Sequence, residues 1–249
     1  MPNERLRDGL LRKGLTSAML AEKLSVDPKT VERWITQGRS PYPRYRHAIA
    51  ALLAESESYL WPDARPAARV AQVSQSEVVQ IYPRRGAVPT DLWQRLLDQA
   101  TRQVGVLVYG GLFLPEFSHR WVPTLREKAL AGVQVELLFG DPEGKHVAER
   151  GDHEGIGHAM PSKILNALAF YKELRDLENV AICYHDTILY NSIYRFDDDM
   201  LINTHLYGTP AAYAPVLHLR RLGGGELFDS YLASFSRVLG VGRAVWPAQ

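Results

Sequence analysis

Four arginines, Arg33, Arg39, Arg44 and Arg46, follow one another with no acidic residue between them, interleaved with Tyr42 and Tyr45. A solvated protein face normally mixes charge signs, whereas a one-signed patch suits neutralisation of backbone phosphates. Lys29 and Thr30 stand just before this run. A second set of polar side chains alternates along residues 189–208, where Asn191 and Arg195 share one side of a strand and Asn203 and His205 one side of the next. If the four converge, an Arg, two amides and a His suit a small anionic or phosphorylated ligand. The same alternation also describes the solvent side of an antiparallel hairpin. A third group, His146, His153 and His158, lies with several carboxylates in 141–158. Those are metal-ligand types, but their spacing matches no tight motif and four glycines punctuate the segment, which reads as a solvated lid loop with no metal. His218-Leu219-Arg220-Arg221, before a Gly run, reads as a surface loop.

The elements that must position the first set are two short helices. Leu20 and Leu24 sit one turn apart with the small Ala21 between them, and Ser25-Val26-Asp27 forms a turn with Val26 as its apolar plug. Asp27 is a good N-cap, Pro28 suits the first helical position, and Val31, Trp34 and Ile35 form a buried stripe. Lys29, Thr30 and Arg33 are thereby left outward on the first turns of the second helix, where a helix-turn-helix reads base edges and phosphates. An ordinary helical hairpin shares the spacing; the charge separates the two. A further helix is expected over Tyr45–Ala54, with Trp61 packing back on the helical core.

Residues 4–60 resemble the XRE/Cro-C1-type helix-turn-helix regulators. The likeness rests on Leu15-Thr16, Leu20-Ala21, Val26, Pro28, Thr30-Val31 and Trp34. It implies a DNA-binding head contacting DNA through Thr16, Ser17, Lys29, Thr30, Arg33, Arg39 and Arg44. Such regulators often carry Gln after the helix-opening Thr, at a backbone contact; Ser17 stands there in this chain.

The chain has 249 residues and a net charge of +1, with 46% hydrophobic and 10% aromatic residues, which describes packed globular protein. The charge is uneven: residues 1–60 hold ten Lys/Arg against seven Asp/Glu, the remainder nineteen against twenty-one. A mildly basic head on a mildly acidic body suits one module that touches DNA and one that does not. The lone Cys183 excludes an internal disulfide framework and a cysteine-based zinc site. No run approaches the ~18–20 apolar residues of a membrane span and no charged-then-apolar leader opens the sequence, so a cytoplasmic protein is expected.

The expected organisation is an all-α head over residues 1–61, a linker over 62–76 rich in Pro, Ala and Gln, and an α/β body over 77–249 with a mixed sheet and helices on its faces. Strands are expected at Glu77–Tyr82, Val104–Tyr109, Val133–Phe139 and Val180–Tyr184. A hairpin of Ile188–Phe196 and Met200–Leu206 turns on Asp197-Asp198-Asp199. Helices are expected at Asp91–Arg102, Pro115–Ala131, Lys163–Leu177 and Leu227–Leu239, with a loop over 140–157.

That element order resembles half of a phospholipase D fold over residues 90–240. The run LYNSIYRFDDDMLINTHLYG at 189–208 is similar to a hallmark of actinobacterial XRE-type regulators that carry such a body. Phospholipase D chemistry needs a His nucleophile, a Lys two residues on, and an Asp five residues after the Lys. With Asp198 as the Asp, Asn191 and Ile193 fall at the His and Lys; starting from His185, Thr187 and Ser192 fall at the Lys and Asp. Neither register can attack phosphorus and compensate its charge. The expectation is a non-enzymatic, cofactor-free regulator acting as a homodimer on a palindromic double-stranded operator, its body sensing a small effector through Asn191, Arg195, Asn203 and His205, or mediating dimerisation. The alternatives are a DNA-targeted phosphodiesterase or nuclease, and a DNA-bound adaptor that recruits a protein partner.

Overall fold

The computed structural model describes residues 2–62 and 67–246. The chain divides into two units, Met1–Ala71 and Gln72–Gln249. Of the segment expected as linker, residues 63–66 lie outside the described residues, and Ala67–Ser76 is a helix, α6.

Among the described residues the first unit is helical, with α1 (Glu4–Arg12), α2 (Ser17–Leu24), α3 (Pro28–Thr36), α4 (Pro43–Leu53) and the single turn α5 (Glu57–Leu60). Each start is chemically marked. Asn3, Thr16 and Asp27 accept hydrogen bonds from the backbone N–H groups of Leu6, Met19 and Lys29, satisfying donors that a helix leaves orphaned. Between α2 and α3 the chain reverses through Ser25 in the left-handed conformation, φ 53°. Leu6, Leu10, Leu20, Val31, Trp34, Ile35, Ile49, Leu53 and Leu60 close the core, and Trp61 is buried with them. Asn3 ties three helices at once: its N–H donates to the Ile35 carbonyl at the end of α3, and its side-chain amide to the Leu60 carbonyl.

The second unit is built on one eight-stranded mixed sheet. Its strands are β1 (Val78–Tyr82), β2 (Gln103–Val108), β3 (Gln134–Gly140), β4 (Val180–His185), β5 (Asn191–Phe196), β6 (Asp199–Thr204), β7 (Val216–Arg220) and β8 (Arg243–Ala244), in the order β1-β7-β6-β5-β2-β3-β4-β8. The pairs β2–β3 and β3–β4 are parallel and every other pair is antiparallel. The central strands are near-continuous apolar runs because helices cover both faces. On one face lie α7 (Thr90–Gln99), α8 (Phe113–Phe117), α9 (Trp121–Leu130) and α11 (Ala159–Tyr171). Trp93 of α7 meets Tyr194 edge-on at 4.9 Å, Trp121 of α9 meets Phe196 at 6.1 Å, and Tyr171 of α11 meets Phe139 at 5.5 Å. On the opposite face α12 (Leu227–Gly240) presses Phe235 onto Gly105, where an added Cβ would come within 2.9 Å of the ring.

Three sequence expectations are corrected. The single helix over Pro115–Ala131 is two, α8 and α9, interrupted at Ser118, which takes an extended backbone. The segment 140–157 is not a lid loop, because Lys145–His153 forms a helix, α10. Gly151 lets α10 approach the Gly157 carbonyl, which a Cβ would meet at 2.4 Å. Buried Arg150 bonds Glu154 and the Thr209 carbonyl. Third, His218, Arg220 and Arg221 belong to β7 and the residue after it rather than to a free loop. His218 Nε2 lies 2.7 Å from Asp199, Arg220 also binds Asp199, and Arg221 pairs with Asp229.

Candidate functional sites

On α3, at 100° per residue, Val31, Trp34 and Ile35 point inward, and the opposite row is Lys29, Arg33 and Thr36. Thr30 stands at the shoulder of this row, partly exposed. Lys29 and Arg33 are exposed and have no ion-pair partner among the described residues. Like charges four apart on a helix destabilise it by a few tenths of a kcal/mol. An anion outside the chain would remove that repulsion. Thr36, which the sequence reading did not single out, shares the row and returns its hydroxyl to the Glu32 carbonyl at 2.7 Å.

The rest of the basic set divides by what each side chain touches. Arg39 is exposed and unpaired among the described residues, while the Arg44 guanidinium donates to the Tyr45 hydroxyl at 2.6 Å and sits 4.5 Å over that ring. Arg46 is structural, held by Glu57 at 3.3 Å and by the Pro41 carbonyl at 2.9 Å. Thr16 is exposed at the start of α2, its oxygen engaged with Met19 N–H, and Ser17 beside it is partly exposed.

In the second unit the four polar residues of the hairpin do not converge. The observed pairs are Asn191 with Thr204, Ser192 with Asn203, and Arg195 with Met200. Directly opposed residues share a face, so Asn191 and Arg195 lie on one side of the sheet and Asn203 and His205 on the other. Arg195 turns back to donate to the Asp197 carbonyl at 3.0 Å, and burial, with Arg221 nearby, lowers its pKa. Asn203 is fully buried, its amide donating to the Ala214 and Pro215 carbonyls. Of the four, His205 lines a cavity at this end of the sheet.

That cavity has a volume of about 430 Å³, within the ~300–1,000 Å³ of small-molecule sites. It opens where β2 ends in Gly110-Gly111, beside the first residues of β5 and the residue after β6. The carboxyl ends of parallel strands are where α/β sheets commonly take ligands. At its floor the Ser192 hydroxyl and His205 Nε2 are 3.0 Å apart, and His205 Nδ1 is 3.1 Å from the Leu189 carbonyl. Since a carbonyl only accepts, Nδ1 carries the proton and Nε2 receives the serine O–H. Burial, then Arg150, lowers the His205 pKa from 6.5 to about 4. Tyr109 stacks on His205 at 5.7 Å, and its hydroxyl accepts the Leu189 N–H at 2.9 Å. Ser192 escaped the sequence reading because serine in a strand carries no signal of its own.

The histidines of 141–158 are dispersed. His146 contacts Glu149 at 2.9 Å, His153 packs on Tyr207 at 4.8 Å, and His158 precedes α11. Among the described residues no cluster of three or more His, Cys, Asp or Glu could hold a metal ion, and no helix is long and apolar enough to cross a membrane.

Two solved structures align with part of this chain. TrmBL2, an archaeal chromatin protein described by its mode of DNA binding, aligns with a TM-score of 0.42 at 12% identity over 81% of this chain and 62% of that one. This chain therefore spans less than two thirds of that protein. Nuc, a phospholipase D family member from Salmonella typhimurium, aligns with a TM-score of 0.41 at 13% identity over 68% of this chain and 97% of that one. No protein-family model matches the sequence, and no curated protein matches it.

Proposed function

We propose that this chain is a sequence-specific DNA-binding transcriptional regulator, a homodimeric repressor whose second unit binds a small effector or mediates dimerisation. The observation that carries the reading is the outward row of α3. Lys29 and Arg33 stand exposed without counter-ions among the described residues, on a helix capped and buried on its other side. An α-helix with that presentation fits the major groove, and Arg39 adds a free cation for phosphate. Two-fold operators need two heads, and an exposed apolar group in the second unit, Tyr190, Leu206 and Tyr207, is a surface that a second copy would cover.

Selection of genomic fragments by the purified protein tests this. A palindromic consensus is expected, with Arg33→Ala weakening it by about 5- to 150-fold, the ~1–3 kcal/mol of one base contact. Equal weakening on all sequences would instead make Arg33 a phosphate contact. No enrichment, or a strict monomer on the selected DNA, would overturn the reading.

One observation favours a second reading, a DNA-targeted phosphodiesterase: the Ser192–His205 pair has the form of a nucleophile beside a base. A His held near pKa 4 is a weak base at neutral pH, where general bases work best near the ambient pH. We therefore assign the pair to binding. Release of nitrophenol from bis(4-nitrophenyl) phosphate is expected to be absent; turnover abolished by Ser192→Ala would establish the enzyme instead.

A further inference from the structure

The cavity past the end of β2, beside the start of β5, carries two kinds of lining. Phe113, Phe117 and Met160 line it with apolar surface, the two Phe rings 5.3 Å apart, while Gly110 and Gly111 contribute wall without side chains. Arg85 and Lys163 bring two cations, neither with a carboxylate partner among the described residues. The Arg85 guanidinium is held 4.3 Å over the Phe113 ring, so it enters the cavity along the edge of the apolar sector. The opposing acids do not cancel this charge: Glu154 is already paired with buried Arg150 at 2.6 Å, leaving Glu116 as one exposed carboxylate against two cations. The floor is neutral. Ser192 donates its O–H to His205 Nε2 as a hydrogen bond, which leaves the hydroxyl oxygen free to accept.

We propose that this cavity binds an organic anion bearing a planar ring, with the ring on Phe113, Phe117 and Met160 and the anionic group on Arg85 and Lys163. The proposal rests on the reading of the second unit as an effector-binding body and supplies the chemical class of the effector. Offset or edge contacts with Phe rings and the soft Met thioether favour a flat apolar body over an aliphatic chain. An Arg fixed on an aromatic face and a flexible Lys form a clamp for one carboxylate or phosphate.

Titration calorimetry of the full chain, without DNA, with phenyl phosphate as probe tests it. Saturable one-site binding is expected, with inorganic phosphate and benzyl alcohol each at least ~10-fold weaker, because each supplies only half of the recognition. Arg85→Gln and Lys163→Gln are each expected to weaken phenyl phosphate by ~3- to 10-fold. Lys163 is exposed, so its variant reports on the site and not on folding. Absence of saturable binding, binding that neither substitution changes, or inorganic phosphate binding as well as phenyl phosphate would overturn the assignment. Release of phenol would replace binding by catalysis and overturn it equally. DNA selectivity is read separately. Anion binding without selectivity keeps the cavity and removes the regulator; selectivity without anion binding does the reverse.

Discussion

Asp197→Ala is expected to destabilise the second unit by ~3–5 kcal/mol, read as a lowered denaturant midpoint at unchanged m-value. The carboxylate of Asp197 receives the backbone N–H groups of Thr101, Arg102 and Gln103 at 2.8, 2.9 and 2.7 Å, and the Thr101 hydroxyl at 3.1 Å. In return its own N–H donates to the Gln103 carbonyl at 2.9 Å. One side chain thus fixes the entry of β2, the strand that leads to the cavity, to the hairpin that supplies the cavity floor. Partial burial pushes its pKa up, but these bonds outweigh it and hold the carboxyl below the usual carboxylate range. Its φ of 51° adds a backbone reason, since Asp and Asn tolerate the left-handed region better than Ala. Asp197→Asn keeps the backbone preference and one acceptor, and about half the loss is expected. A loss below ~1 kcal/mol in the alanine variant would show that the three amides find water instead.

The second large effect is a loss of stability as the solution is acidified from neutrality. His205 has its pKa lowered to about 4, and burial also lowers that of His185. Both are bonded as neutral tautomers: His185 presents Nε2 to the Val108 carbonyl at 3.1 Å and accepts the Thr187 N–H on Nδ1 at 3.3 Å. The unfolded chain protonates each histidine near pH 6.5 while the folded chain resists, so the unfolded state binds more protons below that pH. Stability is full above ~6.5 and is lost progressively toward pH 4, by ~3 kcal/mol for His205 alone. The charges facing His205 are cationic, Arg150 and Arg85, which oppose its protonation further. The lowered Asp197 and Asp199 lose their contributions only below the ordinary carboxylate range, so the two windows separate. Thermal melting from pH 7 to 4.5 should show the slope, and His205→Gln should flatten it. An unchanged slope in that variant would assign the effect elsewhere.

Much of the first unit is legible in its residues. The Asp27-Pro28 start and the spacing of Val31, Trp34 and Ile35 state both the helix and its buried side, because a cap, a fixed φ and a helical period are local properties. Strands β2 to β4 were equally plain as apolar runs. β7 was not: its five residues include His218, buried against Asp199 of a neighbouring strand, and the exposed Arg220, held by the same carboxylate. α10 was hidden for the same reason, its mostly polar sequence burying Val147 and Gly151 together with Arg150, which Glu154 and the Thr209 carbonyl hold.

The misplacement of the hairpin residues has a single cause. A three-residue turn at Asp197-Asp198-Asp199 would oppose odd-numbered residues to odd, placing Asn191, Arg195, Asn203 and His205 on one face. The strands are joined by Asp197 and Asp198 alone, with Phe196 opposite Asp199, so odd opposes even. Strand periodicity orders side chains within a strand, whereas register between strands is set by the turn. The same shift that removes Asn191 and Arg195 from His205 brings Ser192 to it.

The caps on α3 bear on how fast this protein would find and leave a target. With Asp27 bonded to Lys29 N–H and Pro28 already in the first turn, α3, the helix proposed to read DNA, is formed before any encounter. Association would order little beyond the long side chains of Lys29, Arg33 and Arg39, so encounter is governed by diffusion and charge. On the proposed reading, added salt should then slow arrival, while substitutions in the outward row of α3 should shorten residence on a bound DNA site with little change in how often it is reached.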